Sequence, residues 1–306
     1  MQALYDVPAP AKLNLFLHVV GKRPDGYHLL ESIFTLIDWA DTLHFERRGD
    51  GLLQRHDKGD ALPADDLCLR AAKLLRAASG RADLGADIHI EKRLPAGAGM
   101  GGGSSDAAST LLALNRLWGL DWPLSTLLPL GLKLGADVPF FLGGRNAFVA
   151  GIGEILYPVD LPPQTYAVLK PPTSIATQEI FSSPLLARSK SVAIVAGFPA
   201  HNSSDAKDAI DVASFLDGFG RNDLQKPAEA SCNEVVEALR LLEAKFGNSR
   251  MTGSGSAVFA RVEAVDGKEG MSSQSMATLL QGRPCGWVGK ICRGLTEHPL
   301  RGWAED

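Results

Sequence analysis

Apolar and polar residues alternate over residues 11–20 (AKLNLFLHVV), with Leu13, Leu15 and Leu17 on one face and Asn14, Phe16 and His18 on the other. That period of two predicts a strand. A Pro24-Asp25-Gly26 turn follows. Segments 28–38 (HLLESIFTLID) and 41–47 (DTLHFER) predict two more strands of an antiparallel meander. Leucines and alanines at helical spacing predict a helix over 66–79, with Asp65 or Asp66 as N-cap and Gly80 as its stop. A strand at 86–91 (ADIHIE) then runs through Lys92-Arg93-Leu94-Pro95 into a glycine-rich stretch.

Beyond that stretch a helix is predicted from Ser104 or Ser105 through Trp118, ended by Gly119. Another fills 125–134, where Pro129 limits the first turn. Short strands are expected near 146–150, 153–157 and 165–169, and 182–210 is the least periodic stretch of the chain. Val235, Val236, Leu239, Leu242 and Phe246 carry a helix over 228–246, and a strand follows at 257–262. Segment 264–276 is polar and receives no assignment. Pro158, Pro162 and Pro163 cluster where the chain divides, giving an N-terminal domain over residues 1–157 and a C-terminal domain over residues 158–306.

Composition narrows the class. With 306 residues, 45% apolar and 22% charged, the chain is an ordinary globular protein of about two domains. Lys plus Arg is 31 against 35 Asp plus Glu, so the formal charge is −4. No overall field draws such a chain to nucleic acid or to anionic lipid. No run of 18 apolar residues predicts a membrane span, and MQALYDVPAP lacks the pattern of a signal peptide. Cys68, Cys232, Cys285 and Cys292 are scattered without a C-x-x-C pair, which favours reduced thiols and a cytoplasmic setting.

Pro95–Ser105 (PAGAGMGGGSS) holds five of the 32 glycines. Glycine lets backbone N–H groups approach an anion closely, and the following helix adds the positive end of its dipole. Strand, glycine loop and helix N-terminus together predict a phosphate cradle. Gly97, Gly99 and Gly102 satisfy G-x-G-x-x-G, but Lys92, Arg93 and Pro95 stand between strand and first glycine. No second strand ending in an acid follows, so a dinucleotide fold is disfavoured. No Gly-Lys-Ser/Thr completes a P-loop, and the H-R-D and D-F-G signatures of protein kinases are absent.

Three segments carry a resemblance: Pro10-Ala11-Lys12-Leu13-Asn14, the loop Pro95–Ser105 running into Asp106-Ala107-Ala108, and Thr252-Gly253-Ser254-Gly255-Ser256-Ala257. In order and spacing they resemble the GHMP kinases, small-molecule kinases of the galactose, homoserine and mevalonate type. Asp25-Gly26-Tyr27-His28 and Gly135-Ala136-Asp137-Val138-Pro139-Phe140-Phe141 are similar to one branch of that superfamily. Its members phosphorylate a cytidine-diphosphate-linked methylerythritol in the non-mevalonate isoprenoid route. The resemblance implies an α+β fold, with an N-terminal ribosomal-protein-S5-like domain and a C-terminal ferredoxin-like domain. It is weakest over 265–306.

The same resemblance implies the roles. Asp137 would be the general base and Lys12 its cationic partner, with Asn14 positioning the substrate hydroxyl. ATP would lie on Pro95, Ala96, Gly97, Ala98, Gly99, Met100, Gly101, Gly102, Gly103, Ser104 and Ser105, with Lys92, Asp66 and Asp106 at its border. Tyr27 and Phe181 would clasp the cytosine, with His28 and Thr177 nearby. Mg2+ is expected with ATP, bound through phosphate and water, and no protein carboxylate stands out as its ligand. Ala96, Ala98 and Met100 stand where Met, Gly and Leu are common in the family, and Ala98 would be costly if its φ had to be positive. The alternatives are a GHMP kinase for homoserine or mevalonate, and a non-catalytic nucleotide-binding regulator.

Overall fold

The computed structural model describes residues 1–59, 61–187, 219–262 and 273–306. Strands β1 (Ala3–Lys22) and β2 (His28–Arg48) form one long antiparallel hairpin, with register shifts that bend it. The two strands expected at 28–38 and 41–47 are thus a single strand of 21 residues. Asp38 and Asp41 interrupt the apolar alternation, but pairing with β1 resumes on both sides of a register shift, Pro10 with Ala40 and Lys12 with Leu36, so the strand carries through.

Prolines 8 and 10 lie within β1, where they have no N–H to give. The outer edge of β1 is satisfied by other means. Ser109 and Ser105 hydroxyls donate to the carbonyls of Pro8 and Pro10, Lys12 N–H donates to Met100 O, and Leu17 exchanges backbone bonds with 221 and 223. The glycine-rich loop is therefore stitched directly to the edge strand that carries Lys12.

Strand β3 (Leu53–Lys58) is connected through helix α1 (Leu67–Ser79) to a parallel partner, β4 (Gly85–Glu91). Asp66 caps α1 by accepting from Leu69 N–H, and Gly80 ends it in the left-handed conformation, as the sequence predicts. Helix α2 (Gly102–Leu117) starts earlier than expected. Gly101, at φ 73°, occupies the N-cap position without a side-chain cap, and Ser104 and Ser105 lie inside the helix. Helix α3 (Leu124–Leu134) holds Pro129 in its interior, and a six-residue helix α4 (Val138–Gly143) follows directly after Asp137.

Strands β5 (Ala147–Ala150) and β6 (Ile155–Pro158) form a hairpin, followed by β7 (Thr165–Lys170) and α5 (Thr177–Ser182). The helix predicted at 228–246 is two helices, α6 (Gln225–Ser231) and α7 (Asn233–Phe246), broken where Cys232 turns extended (φ −144°, ψ 104°). Then come β8 (Ser249–Met251), β9 (Val258–Val262), α8 (Ser273–Leu280) and β10 (Val288–Leu295). Of the unassigned segment 264–276 and the weakly periodic 182–210, residues 264–272 and 188–210 lie outside the described residues.

The sheet runs β3-β4-β2-β10-β7-β9-β8, with β1 and β5 also paired to β2. The length of β2 makes this possible: its residues 42–48 pair with β4, 36–37 with β10 and 32–34 with β5. One core cluster gathers α1 to α4 with the sheet residues before 150, and another gathers α6, α7 and β7 to β9. Between them lies a third, in which Leu94, Ala98 and Met100 of the glycine-rich stretch pack with Leu13, Ala257 and Phe259. Mixed helix and strand content gives the expected α+β class. No described helix is long and apolar enough to cross a membrane.

Candidate active site

Three adjoining cavities meet where these elements converge. The first, about 400 Å3, is walled by Pro95 to Ser104 of the loop together with Asp66, Lys92 and Asp106. A second, about 270 Å3, is lined by Lys12, Asn14, Asp137, Thr177 and Phe181, and shares Gly97, Gly99 and Gly101 with the first. The third, about 750 Å3, is reached past Phe181 and includes Lys22, His28 and Gln178.

Lys12 is 3% exposed. Its ammonium donates to Asn14 Oδ1 at 2.6 Å, sits 3.6 Å from Asp137 Oδ2 and lies 4.2 Å above the centre of the Phe34 ring. Burial pushes Lys12 below the ordinary lysine range, and the charge of Asp137 opposes that shift. Asn14 is fixed in turn, with Nδ2 donating to Ser32 Oγ and its backbone N–H donating to Thr252 Oγ1. Asp137 occupies the N-cap position of α4, yet its side chain makes no capping hydrogen bond. With a carboxylate 31% exposed and turned to Lys12, it is a charge at a cavity wall.

The loop takes its shape from positive φ at Gly97, Gly99 and Gly101. A Cβ at Gly99 would collide with Thr252 O, and one at Gly253 would fall 2.6 Å from Gly99 O. The loop and the Thr252–Ser256 segment therefore pack backbone against backbone, joined by Ser256 N–H to Gly97 O and Ala257 N–H to Ala98 O. Ala98 is not among the residues of positive φ, so its side chain brings no strain. Gly102 and Gly103 open α2, whose first-turn N–H groups have no partners within the helix.

Lys92 bridges two carboxylates, Asp106 Oδ2 at 2.6 Å and Asp41 Oδ2. Burial alone would lower Lys92, but Asp106 and Asp41 hold it above its usual range. Burial, reinforced by the charge of Asp41, pushes Asp106 up to about 7 against the opposing pull of Lys92. Asp66 lines this cavity while serving as the α1 cap and pairing with Arg55 at 2.8 Å. Ser105 is buried with its hydroxyl on Pro10 O, on the strand side of α2.

In the outer cavity the rings of His28 and Phe181 stack at 4.9 Å and 20°. Tyr27 is 60% exposed, so the structure brings His28, and not Tyr27, against Phe181. Thr177 shares a 2.8 Å hydrogen bond with Ser254. Sequence reasoning missed Asp41, Ser254 and Lys22. A charged residue within a strand-like segment was the only signal for Asp41.

Comparisons with known proteins bear on this site. The family model for the GHMP kinases N terminal domain matches residues 66–145, and that for GHMP kinases C terminal matches 199–273. A 4-diphosphocytidyl-2-C-methyl-D-erythritol kinase of Methylibium petroleiphilum is 60% identical over 304 residues, covering 99% of each chain. Its namesake in Ralstonia nicotianae is 52% identical, over 97% of this chain and 96% of the relative. A crystal structure of 4-(cytidine 5'-diphospho)-2C-methyl-D-erythritol kinase superposes with a TM-score of 0.72 at 33% identity, covering 94% of this chain and 98% of that one. A crystal structure of mevalonate kinase shares the fold, with a TM-score of 0.63 at 13% identity, covering 95% of this chain and 99% of that one.

Proposed function

This chain belongs to the GHMP kinases, among the 4-diphosphocytidyl-2-C-methyl-D-erythritol kinases, and we propose that it transfers the γ-phosphoryl group of ATP to the 2-hydroxyl of that alcohol. One observation carries the assignment of chemistry: Lys12, Asn14 and Asp137 meet in the cavity that adjoins both the glycine-rich loop and the His28–Phe181 stack. A phosphoryl donor in the loop cavity and an alcohol reaching in past Phe181 would meet beside Asp137. Asp137 takes the hydroxyl proton as the oxygen attacks phosphorus. Lys12, held by Asn14, faces the Asp137 carboxylate and the charge that gathers on the reacting oxygens. The bond between the γ-phosphorus and the β,γ-bridging oxygen breaks, and ADP leaves with that oxygen and its electron pair.

The loop N–H groups and the start of α2 suit the phosphates. Asp106 borders that cavity, and its buried Oδ1 has no hydrogen-bond partner. With Ser104 it fits a magnesium ion held mainly by phosphate and water, and no cluster of three or more His, Cys, Asp or Glu suited to a metal occurs among the described residues. When bound, such an ion neutralises phosphate charge. His28 and Phe181 serve the cytosine end by stacking, and Thr177 contacts the alcohol. The chain further divides into an N-terminal domain over residues 1–157 and a C-terminal domain over residues 158–306, a reading supported by family matches on either side of the boundary.

An ADP-release assay with the cytidylyl alcohol, homoserine and mevalonate as acceptors tests the proposal, with phosphorus NMR of the product. Turnover with the cytidylyl alcohol and a phosphate on its 2-oxygen are expected. Preference for another acceptor, or ATP binding without turnover, would overturn it.

A further inference from the structure

Asp41 is fully buried on β2, at the register position opposite Ala9. Its carboxylate accepts from three groups. Oδ1 takes the consecutive backbone N–H groups of Arg93 at 2.6 Å and Leu94 at 2.7 Å, and Oδ2 takes the Lys92 ammonium. A carboxylate with no exposure is retained only where its charge is paired and its lone pairs are filled, and here three donors fill them. All three belong to the residues immediately before the glycine-rich loop.

Lys92 carries the connection across the cavity floor. Its second carboxylate, Asp106, stands in the first turns of α2, on the far side of the loop. A Cβ at Gly102 would lie 3.3 Å from Leu94 Cδ1 and 3.7 Å from Lys92 Nζ. Two of the three residues that Asp41 fixes, Leu94 and Lys92, are thus the ones against which the N-terminus of α2 is seated. The loop begins and ends on a single clasp, Asp41–Lys92–Asp106, and Asp41 is its buried anchor.

We propose that Asp41 is a positioning residue for the nucleotide, fixing through Lys92 and the Arg93–Leu94 backbone the spacing between the start of the glycine-rich loop and the helix N-terminus that faces the phosphates. This rests on the loop cavity being the ATP site. Asp41 lines neither the loop cavity nor the cavity of Lys12 and Asp137, and its donors all lie at the start of the glycine-rich loop, so its effect is specific to the nucleotide. An Asn at this position keeps an oxygen for the two N–H groups but turns a neutral amide toward the ammonium. One charge-assisted hydrogen bond is lost.

The test is steady-state kinetics of Asp41→Asn and of Asp41→Ser, with melting curves for both. Asp41→Ser keeps a hydroxyl acceptor for the two backbone N–H groups, leaves Lys92 its pairing with Asp106 and removes only the link to Asp41, so it answers the question even where Asp41→Asn fails to fold. Expected is a rise of tenfold or more in the KM for ATP, with the KM for the alcohol within twofold of wild type. A merely structural role would lower the active fraction and leave both KM values in place. An unchanged KM for ATP in a folded variant, or parallel rises in both KM values, overturns the proposal. Absence of saturable ATP dependence in the wild-type enzyme would overturn the underlying function as well, which separates the two failures.

Discussion

Replacing Asp137 with Asn should stop chemistry and spare both binding and fold. Lys12 keeps its hydrogen bond to Asn14 at 2.6 Å and its place over the Phe34 ring, so no buried charge is left without a partner. The Lys12–Asp137 separation of 3.6 Å exceeds an ordinary hydrogen bond, and the carboxylate is 31% exposed. With Lys12 buried and the carboxylate partly solvated, losing the pair should cost more than an exposed pair, about 1 kcal/mol, and less than a fully buried one, about 3–5 kcal/mol. Turnover is a different matter, because an amide cannot take the hydroxyl proton. A positioned base is typically worth about 10²–10⁴-fold, or about 3–5 kcal/mol of barrier. Both KM values should stay within a few-fold of wild type. Removing the carboxylate also withdraws the charge that supports the Lys12 ammonium, whose pKa burial already lowers. The alkaline limb of the residual activity should then move to lower pH. The assay is ADP release across pH, with calorimetric binding of a non-hydrolysable ATP analogue and thermal melting as controls. Turnover within tenfold of wild type in a folded variant would refute the general-base role and leave Asp137 as an orienting group.

Phe181→Ala removes the ring that stacks on His28 and should raise the KM for the cytidylyl alcohol by the equivalent of about 1–3 kcal/mol of base stacking, leaving the KM for ATP unchanged; equal changes in both would make Phe181 a packing residue. Gly99→Ala drives a Cβ into Thr252 O at φ 71°, and should cost at least about 1–2 kcal/mol from the left-handed backbone alone, read as a lowered melting temperature with weaker ATP binding. His298 accepts from Leu300 N–H through Nδ1, and burial pushes its pKa down to about 4. The unfolded chain, with an ordinary histidine near 6.5, binds that proton first, so stability is complete above about pH 6.5 and falls toward pH 4 by roughly 3 kcal/mol. His298→Asn should flatten this acid limb in melting curves, and an unaltered limb would exclude His298 as its source.

Local signals made the glycine-rich loop between strand and helix legible. Glycines, a preceding strand and helix-capping residues all lie within about twenty positions of one another, and α1 was bounded by Asp66 and Gly80 for the same reason. The start of α2 misled because serines resemble N-caps, whereas a glycine at positive φ opens the helix and Ser105 bonds to β1 instead. Strand β3 (LQRHDK) escaped because an edge strand needs few apolar residues. Tyr27 and His28 differ only in the side of the chain on which each emerges, and composition cannot tell which will meet Phe181. Asp41 lay out of reach for a deeper reason. Its partners sit more than fifty residues away, and only the pairing of β2 with β4 brings them together.

The interlock of Gly97–Gly99 with Thr252–Ser256 imposes an order on the making of the enzyme. Gly97 O and Ala98 O receive their backbone donors from Ser256 and Ala257, each 159 positions later in the chain. Loops closed over such distances form slowly, since the entropy of bringing the ends together is spent before the contact returns anything. During synthesis the glycine-rich loop emerges first, but its carbonyls at Gly97 and Ala98 lack their backbone donors until the later segment has left the ribosome. A polypeptide that stops before residue 252 should therefore bind ATP poorly under the proposed reading of the loop, because the carbonyls of Gly97 and Ala98 would lack their donors.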